Sequence, residues 1–134
     1  MVVHNKIVAR CRDGRVLKGS TSDFLPNKDL LHLSLAEAPD AKPVEVRLFE
    51  LKALFFVRDF AGNPQRRETQ QVAPPLPAAG RRIRVVFEDG EVLVGTTHSY
   101  QPGRLGFFVV PVDPLSNNER CFIVASATRE VSFP

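Results

Sequence analysis

The stretch CRDGRVLKGSTSDFLP, residues 11–26, returns as FEDGEVLVGTTHSYQP, residues 87–102, 76 positions later. Kept at that spacing are Ile7/Ile83, Asp13/Asp89, Gly14/Gly90, Val16/Val92, Leu17/Leu93, Gly19/Gly95, Thr21/Thr97 and Pro26/Pro102. The register runs without a gap from Ile7 against Ile83 to Val57 against Phe133. A self-match at fixed period reads as internal duplication. Apolar and backbone-shaping residues dominate it, so what repeats is architecture.

Each copy of the phrase predicts local structure. Asp-Gly at 13–14 and 89–90 sits between extended segments and predicts a two-residue type I′ hairpin turn, with positive φ at both central residues. Before the turns, Ile7, Ala9 and Cys11 alternate with Val8, Arg10 and Arg12, and Ile83, Val85 and Phe87 with Arg84, Val86 and Glu88. Period-two alternation places one set inward. Gly19 and Gly95 interrupt the strand after each turn, where a missing side chain permits a bend or the close approach of another backbone. LLHLSL (30–35) and GFFVVP (106–111) read as third strands, VEVRLFE (44–50) and RCFIVAS (120–126) as fourth, LFFVR (54–58) and REVSF (129–133) as fifth. ELKAL (50–54) has room for a single turn, and no segment carries a helical apolar stripe. Pro74, Pro75 and Pro77 forbid regular helix between the two units. The domains expected are therefore 1–59, a Pro-rich linker at 60–79 whose PPLP reads as spacer, and 80–134.

Five strands in order, with Asp-Gly and a glycine five residues beyond it, resemble the Sm-like class of small β-barrels. The resemblance implies an all-β protein of two tandem five-stranded Sm-like small barrels related by internal duplication. DLLHLSL (29–35) is similar to the segment in which Sm proteins place an RNA-contacting asparagine, but the residue here is His32; Leu105 and Phe108 stand at the corresponding sites of the second unit. Neither unit ends in the Arg-Gly pair of the Sm nucleotide pocket, the nearest being Arg58-Asp59, so the resemblance carries the fold and not RNA binding. LKALFFVRDFAGNP and GFFVVPVDPLSNNERCF are similar to segments of an uncharacterised family of bacterial domains, which implies no activity. Arg81-Arg82 resembles the paired-arginine motif of PilZ domains, yet no Asp/Asn-x-Ser-x-x-Gly run follows it.

Composition narrows the function classes. The chain has 134 residues, 43% of them hydrophobic, enough to bury a core and to set aside wholesale disorder. No apolar run approaches a membrane span and the start lacks a secretion signal, so a cytoplasmic protein is expected. Cys11 and Cys121 lie in strand-like contexts without partners at metal-ligand spacing and read as packed thiols, not a disulfide. The net charge of +3 is uneven: residues 1–67 hold 12 Lys+Arg against 8 Asp+Glu, and residues 68–134 hold 6 against 7. Only the first half offers a polyanion attraction.

No catalytic, metal or cofactor constellation is present in the sequence pattern, since His4, His32 and His98 fall in unrelated contexts and the glycines mark turns and bends. The expected function is a non-enzymatic binding or assembly module, protein–protein in kind and in a bacterial regulatory context, with a protein partner or homo-oligomer. Its expected surface comes from adjacent phenylalanines: Phe56, Phe107 and Phe108 are the interface candidates, either between the two barrels or under the linker, or between subunits or with a partner, with Phe55 inward and Phe56 outward by alternation. The alternative is single-stranded RNA binding through a basic stripe of Arg10, Arg12, Arg15, Lys18 and Lys28. Glu88 and Glu91 stand where the second unit would repeat Arg12 and Arg15.

Overall fold

Gly14 and Gly90 take φ of +95° and +92°, and each closes a hairpin. In the first, Gly14 N donates to Cys11 O at 3.1 Å and Cys11 N to Arg15 O at 2.8 Å; in the second, Gly90 N donates to Phe87 O at 2.9 Å and Phe87 N to Glu91 O at 2.8 Å. This is a three-residue loop, a tight turn followed by a left-handed glycine. It replaces the type I′ turn expected from sequence, because Asp13 and Asp89 keep negative φ. Their carboxylates accept the N–H two residues on, at 3.0 Å from Arg15 and 2.9 Å from Glu91, a bond that fixes the aspartate and leaves only the glycine left-handed.

The computed structural model describes residues 5–57, 80–98, 100–111 and 118–134. The linker expected at 60–79, and Arg58 with it, lies outside the described residues. Ten strands are present: β1 (Asn5–Cys11), β2 (Val16–Thr21), β3 (Leu30–Leu35), β4 (Val44–Arg47), β5 (Leu51–Val57), β6 (Arg81–Phe87), β7 (Val92–Thr97), β8 (Gly106–Pro111), β9 (Asn118–Val124) and β10 (Thr128–Ser132). Short 3-10 turns at Leu48–Glu50 and Ala125–Ala127 precede β5 and β10. The single turn expected at 50–54 is therefore misplaced: Leu51–Val57 is strand throughout, and all seven of its residues are buried.

The strands form one antiparallel sheet in the order β10-β6-β7-β8-β9-β5-β1-β2-β3-β4. Two separate five-stranded small barrels were expected, and the strands instead form one open sheet. β5 bonds β1 on one side and β9 on the other, with Leu54 opposite Phe122 and Phe55 opposite Cys121, so each half spends an edge on its neighbour rather than on its own closure. β4 and β10 are left as the outer strands.

Side chains alternate across the central strands into two separate cores. Ile7, Ala9 and Cys11 of β1, Leu51, Leu54 and Phe56 of β5, and Phe122 and Val124 of β9 pack with Leu31, Leu33 and Val46 from β3 and β4. Ala53, Phe55 and Val57, with Cys121 and Ile123, pack on the opposite face against Ile83, Val85, Phe87, Leu93, Phe107 and Val109. The two ends of the sheet thus fold over opposite faces of a shared middle layer. An expected inward Phe55 and outward Phe56 are corrected by this: they are 8% and 4% exposed, because both faces of their strand are covered.

The bends rest on two glycines. A Cβ at Gly19 would lie 2.2 Å from Ser34 O, and one at Gly95 2.2 Å from Val110 O, closer than real Cβ atoms come. Gly19 pairs Leu35 and Gly95 pairs Pro111, so the clash is with the very strand each must bond. Gly95→Ala is expected to cost about 1–3 kcal/mol by overpacking, read from urea unfolding. Thr96→Ala is the control: its half-buried neighbour position faces Val110 in the same ladder, and shortening it adds no atom against β8, so the loss should be the smaller of the two.

Candidate functional site

The two hairpin tips lie beside each other, and their charges interlock. Arg12 Nη2 donates to Glu88 Oε2 at 2.8 Å, and Arg10 Nη1 lies 3.6 Å from Glu91 Oε2. Lys52 Nζ, at the start of β5, donates to Asp89 Oδ2 at 2.8 Å and to Glu91 Oε1 at 2.6 Å, with its ammonium 4.6 Å from the centre of the Phe87 ring. Its side chain is only 11% exposed. The Lys52 hydrogen bond, followed by the Glu91 N–H, holds the Asp89 carboxyl below its ordinary pKa. Burial beside the same tips pushes the Cys11 thiol up, so it behaves as a packed apolar group. Cys121 is likewise buried and is not in a disulfide. The 120 Å³ hollow among Cys11, Arg12, Lys52, Phe87 and Asp89 is occupied at its rim by these ion pairs.

On the other side of the central ladder four phenylalanine rings meet. Phe24 lies 5.0 Å from Phe122 and 5.8 Å from Phe56, and Phe108 lies 5.1 Å from Phe122 and 6.0 Å from Phe56, between ring centres. The Arg120 guanidinium covers Phe56 at 4.3 Å and Phe108 at 4.9 Å. Next to this quartet is a cleft of 260 Å³. Its floor is Phe107, Phe108 and Phe122; its walls are Pro26 and Asn27 from the loop after β2, and Gln101 and Arg104 from the loop after β7. Arg104 Nε donates to Gln101 Oε1 at 3.0 Å, which holds a cation at the rim. Leu25 and Leu105, the chain neighbours of wall residues Pro26 and Arg104, are 54% and 41% exposed. An aromatic floor, an exposed leucine on each wall loop and one fixed cation make a surface suited to an apolar side chain with a carboxylate beside it.

One histidine is engaged nearby. His32 Nδ1 lies 2.6 Å from Asp23 Oδ2, the His32 N–H donates to Asp23 Oδ1 at 2.9 Å, and Thr21 Oγ1 donates to the same oxygen at 3.0 Å. Burial raises the Asp23 pKa, but the His32 N–H, the His32 ring and the Thr21 hydroxyl together outweigh it and set the carboxyl low. Asp23 thereby pins the loop wall of the cleft to β3. Among the described residues no group of three His, Cys, Asp or Glu side chains is placed to hold a metal ion.

Of the residues singled out from sequence, Phe56 and Phe108 are brought together, their ring centres 6.0 Å apart under Arg120, whereas the basic stripe forms no common surface. Phe107 is buried in the second core against Tyr100, Phe108 is half-buried on the cleft floor, and Phe56 is enclosed between Phe24, Phe108 and Arg120. Of the basic stripe, Arg10 and Arg12 face Glu91 and Glu88, and Arg15 Nε donates to Asp13 at 2.8 Å; Lys18 and Lys28 are exposed. Asn27, Gln101, Arg104, Arg120, Leu25 and Lys52 were missed, and Leu105 was named only as a counterpart of an Sm contact position and not as part of a binding surface. The one trace of the cleft was the matched pair Pro26/Pro102 with Lys28 aligned to Arg104, which marks two equivalent loops without showing that a long-range ladder sets them side by side.

A family model described as Family of unknown function (DUF6982) matches residues 3–133. No curated protein and no solved structure matches the chain.

Truncating Phe56→Ala is expected to cost about 3–5 kcal/mol in urea unfolding, with both halves lost in one transition because the ring touches both. A second expectation concerns acid. Because the folded Asp23 pKa is depressed, its contribution is present above the unfolded carboxylate value of about 3.9 and lost as pH falls through the lower folded value. Asp23→Asn should therefore lower the melting temperature clearly at pH 7 and much less at pH 2.

Proposed function

The chain belongs to the family of unknown function whose model spans it, and we propose that it is a non-enzymatic binding module that captures a segment of a partner protein in the cleft between its halves. The observation that carries this reading is the 260 Å³ cleft with a phenylalanine floor, flanked on two loops by exposed Leu25 and Leu105. An aliphatic or aromatic side chain of the partner enters over the half-buried Phe108, which rests on the buried Phe122, and an acidic neighbour meets Arg104. Burying one such side chain contributes roughly 1.5–3 kcal/mol, the scale of a central anchor in a protein interface.

The reading takes the two halves as copies of one five-stranded, Sm-like unit. The Ile7↔Gly19 pairing of β1 with β2 has its counterpart in Ile83↔Gly95 of β6 with β7, which supports it. A bacterial regulatory setting in the cytoplasm is part of the same proposal, and two buried cysteines outside any disulfide suit a reducing compartment. No helix among the described residues is long and apolar enough to cross a membrane. The His32–Asp23 pair supports binding over catalysis in being spent on loop anchoring. Single-stranded RNA binding is the weaker reading: Arg10, Arg12 and Arg15 already face carboxylates, and each phosphate contact would have to displace one.

Selection of peptides from a displayed library against the whole chain tests the proposal. The expected binders carry an aliphatic or aromatic anchor next to Asp or Glu, and lose roughly tenfold or more in affinity, the scale of one lost anchor contact, for Leu25→Ser plus Leu105→Ser at unchanged melting temperature. Binders indifferent to that double variant, or retention of single-stranded RNA in preference to any peptide, would reject it.

A further inference from the structure

The ladder that joins the two halves has a counterpart that could be built between chains. β9 and β10 correspond to β4 and β5 at an offset of 77, since Leu30↔Arg47 answers Gly106↔Val124 and the turn Leu48–Glu50 answers Ala125–Ala127. The ungapped 76-residue register expected from sequence is therefore interrupted by one residue after β8. β10 and β4 are the outer strands of the sheet. A second copy docking its β10 on β4 would repeat the internal seam and generate a head-to-tail chain or ring. Transferring the register gives the contacts. Where the internal seam sets Ala53 opposite Ile123, Leu54 opposite Phe122 and Phe55 opposite Cys121, the external one would set Glu130 opposite Val46, Val131 opposite Glu45 and Ser132 opposite Val44, and continuing the same register by one step would set Arg129 opposite Arg47.

The physical difference is large. Ala53, Leu54, Phe122, Ile123 and Cys121 are all 0% exposed, so the seam buries its central residues completely. Arg47, Arg129 and Glu130 are exposed in the single chain. On one face of the external seam two guanidiniums would stand directly opposite each other with only Glu45 diagonal to them, and like charges in that position oppose pairing. On the other face Glu130 would take the place of the fully buried Ala53, beside Val46 and Val44, as a buried carboxylate without a cation. Charge on outer strands is how sheets refuse further strands.

We propose that the chain is a finished pair: the apolar ladder that fuses its halves is barred from repeating between chains by Glu130, Arg129 and Arg47 on its two free edges, so a second copy is excluded and the cleft is presented by a single chain. This is independent of what the cleft binds, and it argues against one route to the homo-oligomer expected from sequence, assembly of β10 on β4.

Sedimentation and light scattering test it with two variants. One carries Glu45→Val and Arg47→Ile on β4; the other carries Arg129→Ala and Glu130→Leu on β10. The wild-type protein and each variant alone should have the mass of one chain from micromolar to millimolar concentration, and an equimolar mixture of the two variants should form a one-to-one dimer. Variants that stay separate when mixed, or either variant associating with itself, would overturn the inference. A trap in the otherwise wild-type background gives an answer that does not depend on the apolar substitutions folding: Glu45→Cys chains mixed with Val131→Cys chains under oxidation should yield no cross-link between those two positions. Formation of that cross-link would equally overturn it.

Discussion

The ladder between β5 and β9 is the constraint on which the rest of the structure depends. It sets Leu54 against Phe122 on one face and Phe55 against Cys121 on the other, and every residue of β5 is buried. A strand covered on both faces needs two layers over it, and each half of the chain supplies one. Neither core is complete within its own half: Phe122 and Val124 belong to the cluster of the first, and Ala53, Phe55 and Val57 to that of the second. The halves therefore stabilise each other through shared side chains rather than through a surface where two finished units touch.

Electrostatics follows the same geometry. Once the ladder brings the hairpin tips together, the residues that differ between the units become partners, Arg12 with Glu88 and Arg10 with Glu91. Part of the positive charge of the first half, which in isolation suggests a polyanion, is thus met by the protein's own carboxylates through Arg10, Arg12 and Lys52. Exposed pairs of this sort contribute little to stability singly. Lys52 differs in being nearly enclosed while bound to both Asp89 and Glu91, and it ties the start of the central strand to the turn of the other half.

The cleft is a by-product of the seam. Two loops that are equivalent by position, one after β2 and one after β7, arrive at opposite walls because the halves are joined edge to edge, and the phenylalanines of β8 and β9 become the floor between them. Asp23 fixes one wall through His32 and Thr21, and the Gln101–Arg104 bond orders the other. A site made this way is preorganised by the fold, which lowers the ordering cost of binding.

Local signals in the sequence determined the strands. LLHLSL and GFFVVP form β3 and β8 at the residues expected, Gly19 and Gly95 mark the close approaches, and Asp-Gly marks both hairpins, because alternation and missing Cβ atoms act over a few residues. Only the tertiary structure decided that the units open into one sheet, that Phe56 is enclosed, and that Arg10 and Arg12 face Glu91 and Glu88. Those outcomes depend on contacts such as Leu54 with Phe122, far apart in the chain. Alternation along β5 shows that its two faces differ; it does not show that both are covered, since the cover for one of them is folded from the other half of the chain.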